Sequence, residues 1–179
     1  MRYLLLAFIV RIGLNVPAMA QQPQVTADTV ATRYQLPGAD CALFPANASL
    51  PFSVDESNPL TRRFTPTHQQ VAATEKALGM VNLATVNPNP EAVYYAKYPA
   101  LIKAHLAKYR RQYFGFYSLK HHPCLYINLF DEQVVELPGT VPYWLRSIVV
   151  TYDGGAAFWS IYYDLTTRKF YKFHHNSEG

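Results

Sequence analysis

The spacing of apolar positions changes character near residue 111. Before it, two stretches repeat with a helical period. Val71, Ala77, Leu78 and Val81 form a moderate stripe. Thr65-Pro66 offers an N-cap followed by proline at the first helical position, so a helix is predicted from there through about Met80. Asn87-Pro88-Asn89-Pro90 then breaks the chain. A second helix is predicted from near Tyr98, with Pro99 in its first turn. Leu101, Ile102, His105, Leu106 and Tyr109 fall on one face of it, and Lys103, Lys108 and Arg110 fall on the other. On that face His105 is expected to be a hydrogen-bonded core residue.

From Arg111 onward the period is two. Residues 112–119 and 124–130 read as strands joined by Lys120-His121-His122-Pro123. A loop over 131–144 contains Pro138-Gly139 and Pro142. Further strands are predicted over 145–152, 156–164 and 169–174, all rich in Tyr, Phe, Ile and Val and bounded by turn residues. Short connections imply antiparallel neighbours. The predicted fold class is α+β over residues 65–179: two N-terminal helices packed on one face of a five-strand antiparallel meander. That outline is reminiscent of cystatin-like and NTF2-like folds, an analogy that carries no function. Residues 21–64, punctuated by Pro23, Pro37, Pro45, Pro51 and Pro59, read as an irregular arm with Cys41-Ala42-Leu43-Phe44 as its apolar cluster.

The stretch TYDGGAAFWSIYYD, residues 151–164, separates two chemistries. A phosphate-binding loop leads into a helix. Here a strand pattern follows, so Asp153-Gly154-Gly155 is predicted to be a hairpin turn, where Asp and Gly adopt positive φ at low cost. In the strand, Trp159, Ile161 and Tyr163 point one way and Phe158, Ser160 and Tyr162 the other. The first set is assigned to the core under the helices. The second is solvated, covered by the 21–64 arm, or a binding surface for a glycan, a peptide or a partner protein. Phe158, Tyr162 and Phe170 are the candidate ligand-binding residues.

Composition adds an address. Arg2, the apolar run 3–10 and Ala18-Met19-Ala20 have the form of a signal peptide over residues 1–20, with a secreted or periplasmic destination. The run is too short to span a bilayer, and no later segment is long and apolar enough, so no membrane span is expected. Without Arg2 and Arg11 the net charge falls from +4 to +2. So small an excess, unclustered, speaks against nucleic acid as a partner. Two cysteines in an exported chain suggest a Cys41–Cys124 disulfide, which would close a loop of about 80 residues and contribute roughly 4 kcal/mol. The alternative is two buried thiols.

Catalytic chemistry is sparse. A meander would gather His122, Asp153 and His174 at one edge of the sheet, a ligand set that zinc accepts. Strand spacing opposes this, because the second and fifth strands of a flat sheet lie about 14 Å apart. No cofactor is expected. The chain contains no GxSxG elbow, HExxH pair or P-loop. Arg110-Arg111 at a helix end is read as complementing the helix dipole rather than holding an anion.

Two stretches together carry a resemblance. One is Lys108-Tyr109-Arg110-Arg111-Gln112-Tyr113-Phe114-Gly115 with Tyr126-Ile127-Asn128-Leu129-Phe130. The other runs from Asp153-Gly154-Gly155 through Phe158-Trp159 to Leu165, followed by Phe170. They resemble a group of small exported, uncharacterised proteins of Bacteroidota-type bacteria that combine RQYFG, YIN-x-F and DGG-x-x-F elements. The match covers roughly residues 98–176; the tail Asn176-Ser177-Glu178-Gly179 departs from the group's Asn-Gly-x-Ala. The resemblance implies an exported bacterial protein, and no catalytic roles carry over from it. The expected function, resting on the aromatic face of Phe158, Tyr162 and Phe170, is a non-enzymatic exported domain that binds a partner or ligand through that face. The competing readings are a small hydrolase or metal-assisted enzyme using His122, Asp153 and His174, and a structural envelope protein.

Overall fold

The computed structural model describes residues 29–50, 62–87, 96–131, 139–151 and 153–176. Among them seven strands form one mixed, mostly antiparallel sheet: β1 (Thr32–Leu36), β2 (Ala39–Leu43), β3 (Arg63–Phe64), β4 (Arg110–Tyr117), β5 (Pro123–Phe130), β6 (Phe158–Asp164) and β7 (Lys169–His175). The order is β1-β2-β4-β5-β6-β7, with β3 also on β4. Three helices accompany it, α1 (His68–Met80), α2 (Tyr98–Ala104) and α3 (Tyr143–Arg146).

This corrects the predicted architecture: among the described residues β1, β2 and β3 precede the first α-helix. Pro37-Gly38 is a two-residue turn with Gly38 at φ 76, the conformation that glycine adopts without a Cβ penalty. It folds β1 back on β2, with Leu36 opposite Ala39. β2 then runs parallel to β4, Leu43 beside Tyr113. β3 takes the rest of that edge in the antiparallel sense, with Phe64 opposite Gly115. A Cβ on residue 115 would lie 2.5 Å from the Phe64 carbonyl oxygen, so glycine is what lets β3 approach.

Every residue from Arg111 to Phe116 in β4 is buried, because the sheet is covered on both sides. On the first face, α1, α2 and the 3-10 turns Leu83–Thr85 and Leu106–Lys108 cover Tyr113, Leu125, Ile127, Trp159, Ile161 and Tyr163. Trp159, Ile161 and Tyr163 thus lie in the core as their alternation predicts. α1 starts at an N-cap on Thr67, two residues beyond the predicted one, because Thr67 and Gln70 close a capping box that Thr65-Pro66 lacks. α2 ends at Ala104, which leaves His105 as its cap and exposed. His105 is not the core residue expected of a longer helix.

α1 is tied to the sheet by a buried polar cluster. Arg111, 1% exposed, places Nε 3.0 Å from Glu75 Oε1 without aiming its N–H at the oxygen. Tyr113 Oη donates to the same oxygen at 2.5 Å. Arg111 also donates to the Tyr109 and Leu106 carbonyls. Arg111 therefore closes a helix–sheet contact rather than facing solvent at a helix end.

Cys41 and Cys124 are both free and buried, a second correction. Cys41 lies in the first-face core and Cys124 in the second. Cys41 is level with Arg111 and Leu129, whereas Cys124 is level with Phe116. The two are therefore about 17 Å apart along the strands and about 10 Å across them, beyond the reach of a disulfide.

Candidate functional site

The second face is built around Gln112 and Asn128, opposed in the β4–β5 register. Gln112 Nε2 donates to the carbonyls of Trp144 at 2.7 Å and Ser147 at 2.8 Å. Its Oε1 accepts from the Val149 N–H at 2.8 Å and from Asn128 Nδ2 at 2.9 Å. Asn128 Nδ2 also donates to the Val149 carbonyl at 2.8 Å. All four hydrogen-bonding positions of the buried glutamine amide are filled.

These bonds explain why the described residues of the strand predicted over 145–152, residues 145–151, form no strand. The Val149 main chain is paired by two side-chain amides instead of by a neighbouring strand. The segment therefore lies across the face as α3 and an extended tail, and β5 pairs directly with β6. Trp144, Leu145, Ile148 and Val149 from this segment, with Phe44 and Ala48 from the segment after β2, cover Phe114, Phe116 and Phe130. Residues of the predicted arm thus cover the β4 side of the face.

Among the described residues the β6–β7 side is not sealed. Phe158 and Tyr162 are half-buried and line a groove of about 430 Å³ with Tyr126, Ser160, Lys172 and His174. A second basin of about 330 Å³ continues from it, sharing Tyr162 and Lys172 and adding Phe116, Ser118, Lys120, His122 and Tyr171. The floor rings touch one another: Tyr126–Tyr162 centroids are 5.1 Å apart and Tyr162–Tyr171 5.3 Å. Burial pushes the Tyr126 hydroxyl up to about 12, against a lowering hydrogen bond from Ser160, so it remains a neutral donor at physiological pH.

A bulge in β7 shapes this groove. Tyr162 pairs with Tyr171 but Ser160 pairs with His174, so Ile161 faces two residues, Lys172 and Phe173. Lys172 has φ 50, a left-handed conformation that costs a residue with a Cβ about 1–2 kcal/mol. The extra residue resets the alternation and re-aims the side chains after it. Phe170 and Phe173 both pack on the first face, against Tyr163 at 4.5 Å and Trp159 at 5.7 Å. Phe170 therefore does not join Phe158 and Tyr162, a correction to the candidate site. Tyr171, Lys172 and His174, none of which the sequence analysis assigned to this groove, join them instead. The Lys172 ammonium stands 5.4 Å from the Tyr162 ring centroid.

The predicted metal ligands separate. His122 Nδ1 lies 2.8 Å from Asp164 Oδ2, at the end of β6. Asp153 precedes the other end, where its carbonyl accepts from Asn176 Nδ2 at 3.0 Å. The seven residues of β6 place them about 20 Å apart. His174, beside Ser160, lies between. Among the described residues no three of His, Cys, Asp and Glu could hold a metal ion together. The predicted gathering depended on the strand over 145–152; without it, the turn at 153–155 moves to the opposite end of the sheet. Asp153-Gly154-Gly155 is a turn, with Gly154 at φ 94 and Gly155 at φ 53. It leads through the 3-10 turn Gly155–Ala157 into β6 rather than closing a hairpin.

Cys124, His122 and Asp164 do line the second basin together. Their contacts do not make a nucleophile: Cys124 Sγ donates to the His122 carbonyl at 3.5 Å, not to the ring. Burial pushes the thiol up, despite lowering hydrogen bonds from Tyr171 and Ser118. A protonated buried thiol is inert. The arrangement is suited to holding a ligand against aromatic rings, with cationic and hydroxyl groups at the margin.

No family model matches the chain, and no curated protein or solved structure is similar to it. Among the described residues no helix is long and apolar enough to cross a membrane.

Proposed function

We propose that this chain is an exported, non-enzymatic binding domain whose site is the groove on the β6–β7 half of the second sheet face. One observation carries the reading: Phe158 and Tyr162 border an open groove of about 430 Å³, although loops cover the same sheet face over β4. A fold able to seal its aromatic side chains would otherwise have sealed these, because exposed apolar surface of this kind usually serves binding. The export address rests on the signal-like residues 1–20, which lie outside the described residues.

The test is a glycan and peptide array probed with the full chain, followed by calorimetry on any hit. Replacing Phe158 and Tyr162 by serine is expected to abolish binding while circular dichroism stays unchanged. Hits that survive the double substitution overturn the groove as the site. Should the double variant unfold, Ser160→Trp, which fills the groove from its floor, makes the same test.

A further inference from the structure

We propose that the groove takes an acidic saccharide, with a sugar carboxylate held by Lys172 and the sugar rings laid against the tyrosine floor; this rests on the groove being the binding site. The charge census of the groove points to an anion. Lys172 and Lys120 supply the positive charge of the two basins, burial keeping His174 toward its neutral form, and Asp164 is the one carboxylate among the described lining residues. Asp164 is already engaged, by His122 Nδ1 at 2.8 Å and by the N–H groups of Thr166 and Thr167 at 2.8 and 3.0 Å. Lys120 and Lys172 make no ion pair among the described residues. Lys172 borders both basins, so a ligand lying along the groove passes its ammonium.

Lysine at a bulge on an edge strand also protects against unwanted strand pairing. That purpose is served by any lysine directed away from the sheet. Lys172 instead stands over the ring of Tyr162, in a left-handed backbone conformation that persists only where its surroundings hold it. The strain is placed where it aims a cation along an aromatic floor.

The groove favours a sugar over the other anions of similar size. An alkyl carboxylate needs enclosure to gain from burial, and the walls here carry the exposed Val150, Lys172 and His174. A peptide would bring backbone N–H and C=O groups to a floor whose own, over β5 and β6, are committed to the ladders. A saccharide has hydroxyls that donate and accept, matching Ser160 and the tyrosine hydroxyls. Its flatter faces meet the rings while its outer edge stays in water.

The experiment is calorimetric titration of the full chain with a short galacturonate oligomer and with its fully methyl-esterified form. The acid is expected to bind at least tenfold more tightly than the ester and to weaken as salt rises. Lys172→Met is expected to weaken the acid about tenfold and leave the ester unchanged. Equal binding of acid and ester, or a Lys172→Met variant that binds the acid as well as wild type, overturns the anion contact while leaving the groove reading intact. Failure of both forms to bind overturns the saccharide. Acid binding that survives Tyr162→Ser overturns the groove itself.

Discussion

Asn128 Nδ2 donates to Gln112 Oε1 at 2.9 Å across the centre of the sheet, and the pair together holds the main chain of Val149 from both its N–H and its C=O. One side-chain pair thereby acts as the strand edge for a segment that forms no strand. It fixes the wall of the groove by the same bonds that finish the core. Gln112→Leu would leave the Val149 N–H and the Trp144 and Ser147 carbonyls without that partner. Its expected cost is at least about 3 kcal/mol, since each of the three orphaned buried groups costs about 1–3 kcal/mol. Urea unfolding measures the loss, and hydrogen exchange locates it: the Val149 amide is expected to lose protection before the β4–β5 amides do. Equal protection throughout would show that the amide pair does not hold the segment.

The two thiols are expected to react only on unfolding. Cys41 is fully buried and Cys124 is 1% exposed, on opposite faces of the sheet. Burial pushes the Cys41 thiol up first, and the nearby Glu75 carboxylate adds to it. Burial also raises Cys124. Alkylation of oxidant-free protein should label neither under native conditions and both in denaturant, with no mobility change on reduction. A single mass two hydrogens short of the dithiol would mean that a disulfide forms and that the strand register is wrong.

The sequence makes the β4–β5 and β6–β7 hairpins legible because each has aromatic alternation ended by turn residues, and helices at α1 and α2 because their apolar residues recur at helical spacing. Three features hide from that reasoning. β1 and β2 are short and lie among prolines. Their one local signal is Pro37-Gly38, which reads as a break in an arm until a parallel partner in β4, nearly seventy residues on in sequence, is known. The 145–152 stretch has strand composition but is captured by Gln112 and Asn128, polar residues in the midst of apolar strands whose significance lies in pairing with each other. The β7 bulge has a trace in the sequence, since Phe170 and Phe173, three apart, share one face only if a residue is inserted between them. The groove was thus half legible: Phe158 and Tyr162 follow from alternation and Tyr171 from its pairing with Tyr162, whereas Lys172 and His174 depend on the bulge.

Asp164 provides a pH signature. Burial pushes its carboxyl up, but the His122 hydrogen bond and the N–H groups of Thr167 and Thr166 outweigh that and leave it below its ordinary value of 3.8. A carboxylate depressed in the folded state stabilises the fold above its unfolded value and loses that contribution as pH falls through its folded one. Asp164→Asn should therefore lower the urea midpoint near neutral pH, and the gap to wild type should close as pH falls through the folded value of Asp164. A gap unchanged at acid pH would assign the loss to packing rather than to the charge. The carboxyl titration followed by NMR is expected to have its midpoint below 3.8.

Lys172 separates stability from binding. At φ 50 its Cβ crowds the following carbonyl, and glycine relieves that contact. Glycine also brings a more flexible unfolded chain, which offsets part of the gain. Lys172→Gly is expected to stabilise the protein by about 1 kcal/mol, whereas Lys172→Ala keeps the Cβ and should gain little. Arg168, at φ 57 in the β6–β7 turn, is the control: Arg168→Gly meets the same backbone relief away from the groove. If both glycine variants raise the urea midpoint and only Lys172→Gly weakens binding of the acid oligomer, the bulge holds strain for the sake of the cation. If Lys172→Gly is no more stable than Lys172→Ala, the bulge is relaxed, and Lys172 has no stored cost for binding to explain.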